Sequence, residues 1–101
     1  MDSKFRIEYL PIAERDLTEV LDYIQIDNPT AALRFIGEID RAISKLAHFP
    51  FIGHVPKDPR LIHLNYRMLV VESYLVFYVI FEDVVEIRRI LHGKRKYDFL
   101  V

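Results

Sequence analysis

The residues with the most chemistry gather near the end of the chain, in Arg88, Arg89, Lys94, Arg95 and Lys96, with His92 leading the turn and Tyr97 following it. Histidine is the side-chain type closest to neutrality in its proton exchange, so His92 is a candidate to pass a proton in either direction. Arg95 can grip a phosphate or carboxylate with two parallel N–H groups. Arg67, Arg88, Lys94 and Lys96 can add positive charge, and Tyr97 can stack on a base or give up a proton. The cluster therefore suits a polyanion or an acidic protein surface. Each residue also has a plainer role. His92 can hydrogen-bond the turn that follows it, Arg67 can pair with Glu72 or Glu86, and Tyr74 and Tyr78 can pack with their hydroxyls in water. The basic run itself can be a solvated tail.

Positioning such a cluster needs a rigid frame, and 101 residues are enough for one domain spanning 1–101. The chain has no cysteine, which removes disulfides and thiolate metal sites and suits a reducing cytoplasm. His54 and His63 lack a ligand partner at metal spacing, so no metal or other cofactor is expected. No apolar run reaches membrane-spanning length, and the charged, alternating start does not resemble a signal peptide. Net charge is −1, but residues 1–50 hold nine acids against six Lys/Arg while residues 51–101 hold six against eight. The overall balance excludes a generic polyanion binder. Hydrophobic residues make up 51% of the chain, more than a domain this small can bury, which points to a partner protein or a homodimer.

Lys4 to Tyr9 alternates like a half-buried strand. Pro11 opens a helix whose apolar side is Ala13, Leu17, Val20, Leu21 and Ile24; Glu14, Asp16, Glu19 and Asp22 form its solvated side. Asn28-Pro29 restarts a second helix carrying Ala32, Ile36, Ile39, Ile43 and Leu46, which should end near His48 or Phe49 before Pro50. The short link makes the two an antiparallel hairpin. Residues 49–60 hold three of the five prolines and read as a loop, anchored by Phe49 and Phe51, with Arg60 to Leu64 a short extended piece. Three strands follow, Tyr66 to Val71, Tyr74 to Phe81 and Val84 to Leu91, joined by Glu72-Ser73 and Glu82-Asp83. The middle one has no charge and should be central, covered on both faces.

The order β-α-α-β-β-β predicts an α+β fold, a helical hairpin packed on one face of a mostly antiparallel four-stranded sheet. Strict alternation turns Val85, Ile87 and Leu91 toward the helices and Glu86, Arg88, Ile90 and His92 toward the open face, with Arg89 at the helix-side edge. A β-bulge at Arg88-Arg89 would change that assignment.

With these elements in order, the chain resembles the RelE/ParE family of bacterial toxins, of the plasmid-stabilisation type. The likeness runs through Pro11-Ile-Ala-Glu-Arg-Asp16-Leu17, Asn28-Pro-Thr-Ala-Ala32, Phe49-Pro-Phe-Ile-Gly53, Tyr66-Arg67, Tyr74-Leu-Val-Phe-Tyr78 and Arg89-Ile-Leu-His92-Gly-Lys-Arg95. The resemblance implies the toxin half of a type II toxin–antitoxin pair, growth-inhibiting and held inactive by a cognate antitoxin that folds a flexible segment across it. It allows two targets: DNA gyrase in the ParE-like branch, and mRNA on the ribosome in the RelE-like branch. Fold kinship does not choose between them, nor against a non-toxic interaction module.

If the chain is an enzyme, it would be a metal-independent endoribonuclease that drives a 2′-hydroxyl onto the adjacent phosphate, with His92 and Arg95 as its catalytic groups. Arg67, Arg88, Lys94, Lys96 and Tyr97 would bind the target in either branch. The RelE-like branch commonly has arginine after the tyrosine of the third strand and lysines on the strand before. Here Leu75 follows Tyr74, and the preceding strand has Met68, Leu69 and Val70. The residues thus lean toward ParE-like action on gyrase.

Overall fold

The computed structural model describes residues 4–95 and 100. The chain runs β1 (Arg6–Tyr9), α1 (Pro11–Asp27), α2 (Pro29–Ser44), a single 3-10 turn (Lys45–Ala47), α3 (Pro59–His63), β2 (Tyr66–Val71), β3 (Tyr74–Phe81) and β4 (Val84–His92). The strands form one sheet in the order β1-β4-β3-β2. β2, β3 and β4 are antiparallel, and β1 joins β4 in parallel, with Arg6 to Tyr9 beside Val84 to Ile87. The α+β hairpin-on-sheet architecture read from the sequence is the one observed.

Local chemistry explains most of the boundaries. Asn28 caps α2, its side chain accepting from the Ala31 N–H at 3.1 Å, and Pro29 occupies the first helical position. The same device recurs where an extended piece was expected. Asp58 accepts from the Arg60 N–H at 2.9 Å and Pro59 starts α3, so residues 59–63 are helical. The two strand turns place Glu72 and Glu82 at φ 54, a left-handed value costly for any residue with a Cβ.

β3 is buried along its middle and divides the core into two layers. On the helix side, Val76 and Tyr78 pack with Ala13, Val20, Phe35, Ile39, Ile43 and Leu46. On the other side, Phe77 and Val79 pack with Leu61 of α3, Tyr66 and Leu91. The second layer is small but covered, because α3 lies over it. In α2 the core residue is Phe35, fully buried, while Ile36 is 44% exposed. The expected stripe was one position off at that turn.

The β-bulge weighed in the sequence is present. Tyr78 faces Ile87 but Phe77 faces Arg89, so Arg88 is the extra residue in β4. One inserted residue reverses the alternation beyond it. Ile90 therefore joins the helix-side core and Leu91 the opposite layer, the reverse of simple alternation. His92 follows Ile90 to the helix side, where its ring meets Tyr74 edge-on at 5.2 Å.

Candidate functional site

β1 stops at Tyr9, its last contact with β4 being the Leu10 N–H on the Ile87 carbonyl at 3.0 Å. On that edge, opposite β3, β4 runs on for five more residues with no strand beside it. An exposed row of unpaired peptide groups would be unfavourable there. Asp16 of α1 takes the strand's place. Its carboxylate accepts from the Ile90 N–H at 3.0 Å and from Arg89 Nε and Nη2 at 2.7 and 3.0 Å. Asp16 is buried at 6% exposure, so the acidic side of α1 is not uniformly solvated as expected. The Asp16 hydrogen bond, ahead of the opposing cost of burial, holds the Arg89 guanidinium above its ordinary pKa.

This pairing sets the wall of a cleft of about 490 Å³ between α1 and the end of β4. Asp16, Glu19 and Tyr23 line one side; Tyr74, Ile90, His92 and Arg95 line the other. The turn that ends β4 is tightly bonded. The Gly93 N–H donates to the Ser73 carbonyl at 2.8 Å and the Arg95 N–H to the His92 carbonyl at 2.9 Å. The Lys94 N–H donates to His92 Nδ1 at 3.1 Å. A neutral His92 held this way carries its proton on Nε2. Its free nitrogen is then a donor, and a base role there would break the bond to Lys94. Burial, more than the nearby Tyr23 and Glu72, raises the Tyr74 hydroxyl's pKa, which keeps that group a proton donor.

The predicted cationic residues do not form one patch. His92 and Arg95 share the cleft, with Lys94 exposed in the turn between them. Arg88 points to the other layer, bonded to Glu86 at 2.7 Å and lying 5.7 Å over the Tyr66 ring. Arg67 pairs with neither Glu72 nor Glu86. It donates to the carbonyls of Phe51 and Gly53, both at 3.1 Å. Arg67 lies in register with Tyr78 and His92 with Tyr74, which sets the two roughly 15 Å apart. They cannot act on one phosphate. Lys96 and Tyr97 lie outside the described residues. Among the described residues, no group of three or more His, Asp or Glu side chains is placed to hold a metal ion.

A second constellation was not foreseen in its details. The loop 49–53 is pinned through its backbone: Tyr78 Oη donates to the Pro50 carbonyl at 2.7 Å and accepts from the Gly53 N–H at 3.0 Å. That hydroxyl is buried rather than wet. Any Cβ on Gly53 would sit 2.3 Å from it, so only glycine permits the approach. Phe49 and Phe51 do not anchor the loop; both are 62% exposed, and the Arg67 guanidinium lies 5.0 Å from the Phe51 ring centre.

Residues 7–97 match the family model described as the ParE toxin of the type II toxin–antitoxin system parDE, and the chain belongs to that family. It is 32% identical over 95 residues to the Sinorhizobium fredii (strain NBRC 101917 / NGR234) protein named "Putative toxin Y4kP", covering 94% of this chain and 95% of the relative. Its fold is similar to a chain of the chromosomal ParDE TA system from P. aeruginosa, with a TM-score of 0.75 at 18% identity, over 91% of this chain and 99% of the other.

Proposed function

We propose that this ParE-family toxin arrests growth in the cytoplasm by acting on DNA gyrase rather than by cutting RNA, and that a cognate antitoxin neutralises it. The observation that carries the choice is the internal use of the groups that RNA cleavage would need. Arg88 is bonded to Glu86, and His92 accepts the Lys94 N–H through Nδ1, so a base role for its ring would break that bond. A protein target needs none of that chemistry and asks only for a shaped, charged surface. Lys94 and Arg95, in the turn that closes β4, are its proposed contacts, and Lys96 and Tyr97, next in the sequence, are proposed with them. Arg67 and Arg88 would act through the faces they support. The antitoxin reading is supported by the apolar side chains on the hairpin: Tyr23, Ile26 and Leu33 are all exposed.

The test is induction of the chain alone, with DNA supercoiling and mRNA integrity followed in the same cells. Gyrase action predicts lost supercoiling, accumulated cleaved DNA complexes and intact transcripts. Lys94→Glu with Arg95→Glu should relieve the arrest, and His92→Ala should leave it in place. Transcripts cut on the ribosome, with cutting abolished by His92→Ala, would replace this reading with RNA cleavage.

A further inference from the structure

The loop between α2 and β2 has an unusual pairing of properties. Phe49, Phe51, Ile52, Val55 and Ile62 are large, apolar and each at least 45% exposed. From His48 to Arg67 the charge is one-sided: Lys57, Arg60 and Arg67, with His48, His54 and His63, against the single carboxylate of Asp58. That carboxylate is itself bonded to Arg60 at 2.7 Å. Apolar exposure beside positive charge is the complement of an acidic segment with apolar side chains.

The surface is also shaped. Phe51, Val55, Ile62 and Ile80 wall a cavity of about 320 Å³, with Asn65 and Arg67 at its polar end. Its geometry is held from several directions. Tyr78 and Arg67 fix the backbone at residues 50–53, and His54 pairs with Met68 through two backbone bonds of 2.8 and 2.9 Å. Asn65 ends α3 at φ 63, a conformation asparagine tolerates. A hollow built on so fixed a frame is ready to take an anchor side chain with little ordering cost.

We infer that this hollow is a docking site for an acidic protein segment, which inserts an aromatic or branched apolar side chain between Phe51, Val55 and Ile62 and sets a carboxylate near Arg67. Arg67 donates to two carbonyls and has no carboxylate partner among the described residues, so its charge is available to such a group. A protein segment fits better than the alternatives. A concave site receives a knob, whereas membrane insertion uses a protruding apolar tip. Stacking of nucleic-acid bases needs open aromatic faces, and the Arg67 guanidinium already lies over Phe51. The site lies away from the α1–β4 cleft, shares no lining residue with it, and does not depend on whether gyrase is the target.

The experiment selects random dodecapeptides displayed on phage against the full chain, then measures the affinity of the enriched peptides. Peptides rich in Asp and Glu around an aromatic or leucine anchor are expected. Val55→Asp and Ile62→Asp, both at exposed positions, should each weaken them by about tenfold or more. Leu33→Asp on the hairpin should change them less than about twofold. Circular dichroism establishes that all three variants are folded. Several results overturn the inference: no enrichment, enriched peptides without acidic bias, or binding lost through Leu33→Asp and kept in Val55→Asp. Single-stranded RNA bound at this face, or self-association abolished by Val55→Asp in sedimentation, would also overturn it by assigning the hollow to another occupant.

Discussion

Replacing Asp16 with alanine removes three hydrogen bonds from a site with almost no water. The Asp16 side chain is 7% exposed and that of Arg89 14%. The variant takes the Asp16 charge away from a mostly buried guanidinium and leaves the Ile90 N–H without its acceptor. Breaking a buried pair by deleting one member costs about 3–5 kcal/mol. Domains of this size have about 5–15 kcal/mol of stability in total, so Asp16→Ala should be folded only marginally. Arg89→Met should cost a similar amount, since it strands the carboxylate instead. The double variant removes both charges together and leaves mainly the unsatisfied Ile90 N–H, a cost of about 1–3 kcal/mol. It should therefore be more stable than either single variant. Urea denaturation of the four proteins gives the coupling directly. If Asp16→Ala costs less than about 1 kcal/mol, or if the double variant costs the sum of the singles, Asp16 does not close the edge of β4 as argued.

Gly53→Ala should destabilise the domain by about 1–3 kcal/mol, because its Cβ would overlap the Tyr78 hydroxyl, and Tyr78→Phe should only partly relieve it since the ring carbons are also within 2.9 Å; thermal denaturation checks both. Glu82→Gly should raise stability by up to about 1 kcal/mol by relieving the left-handed backbone in the β3–β4 turn, read from the urea midpoint. Burial raises the pKa of Tyr9, Tyr74 and Tyr78 above the ordinary 10.0, so the folded chain keeps protons that the unfolded chain releases. Stability should accordingly hold up to about pH 10 and fall as pH rises through the folded values, with the tyrosinate absorbance of Tyr9, Tyr74 and Tyr78 appearing together with unfolding. An early tyrosinate signal from the folded chain that disappears in Tyr78→Phe would contradict the burial of Tyr78.

Much of the frame was legible because local chemistry dictates it. Asn28-Pro29 can hardly do other than restart a helix, and a charge-free Tyr74 to Phe81 between two acidic turns must lie inside a sheet. α3 was missed although Asp58-Pro59 repeats the same signal, since three prolines in twelve residues outweighed it. The face of Ile90, Leu91 and His92 depends on where one extra residue is absorbed. Arg88-Arg89 offers two equivalent places, and only the pairing with Phe77 and Tyr78 selects one. The site was harder for a similar reason. Asp16 looks like any other acid on the polar side of a helix, and its partner is 73 residues away. Arg67 is bound to carbonyl oxygens, which every residue possesses and no side-chain pattern reveals. The exposure of Phe49 and Phe51 follows from a loop held by its backbone, an arrangement that leaves its rings unneeded in the core.

The parallel pairing of β1 with β4 has a temporal side. Residues 6–9 find their neighbours only at 84–87, after the helices, β2 and β3 have been made. Closing so long a loop is among the slower steps in assembling a small domain. During synthesis the first strand must wait, and the helical hairpin, whose inner side rests on that sheet, waits with it. A growing chain therefore lacks the closed cleft between α1 and the end of β4 until its last strand arrives.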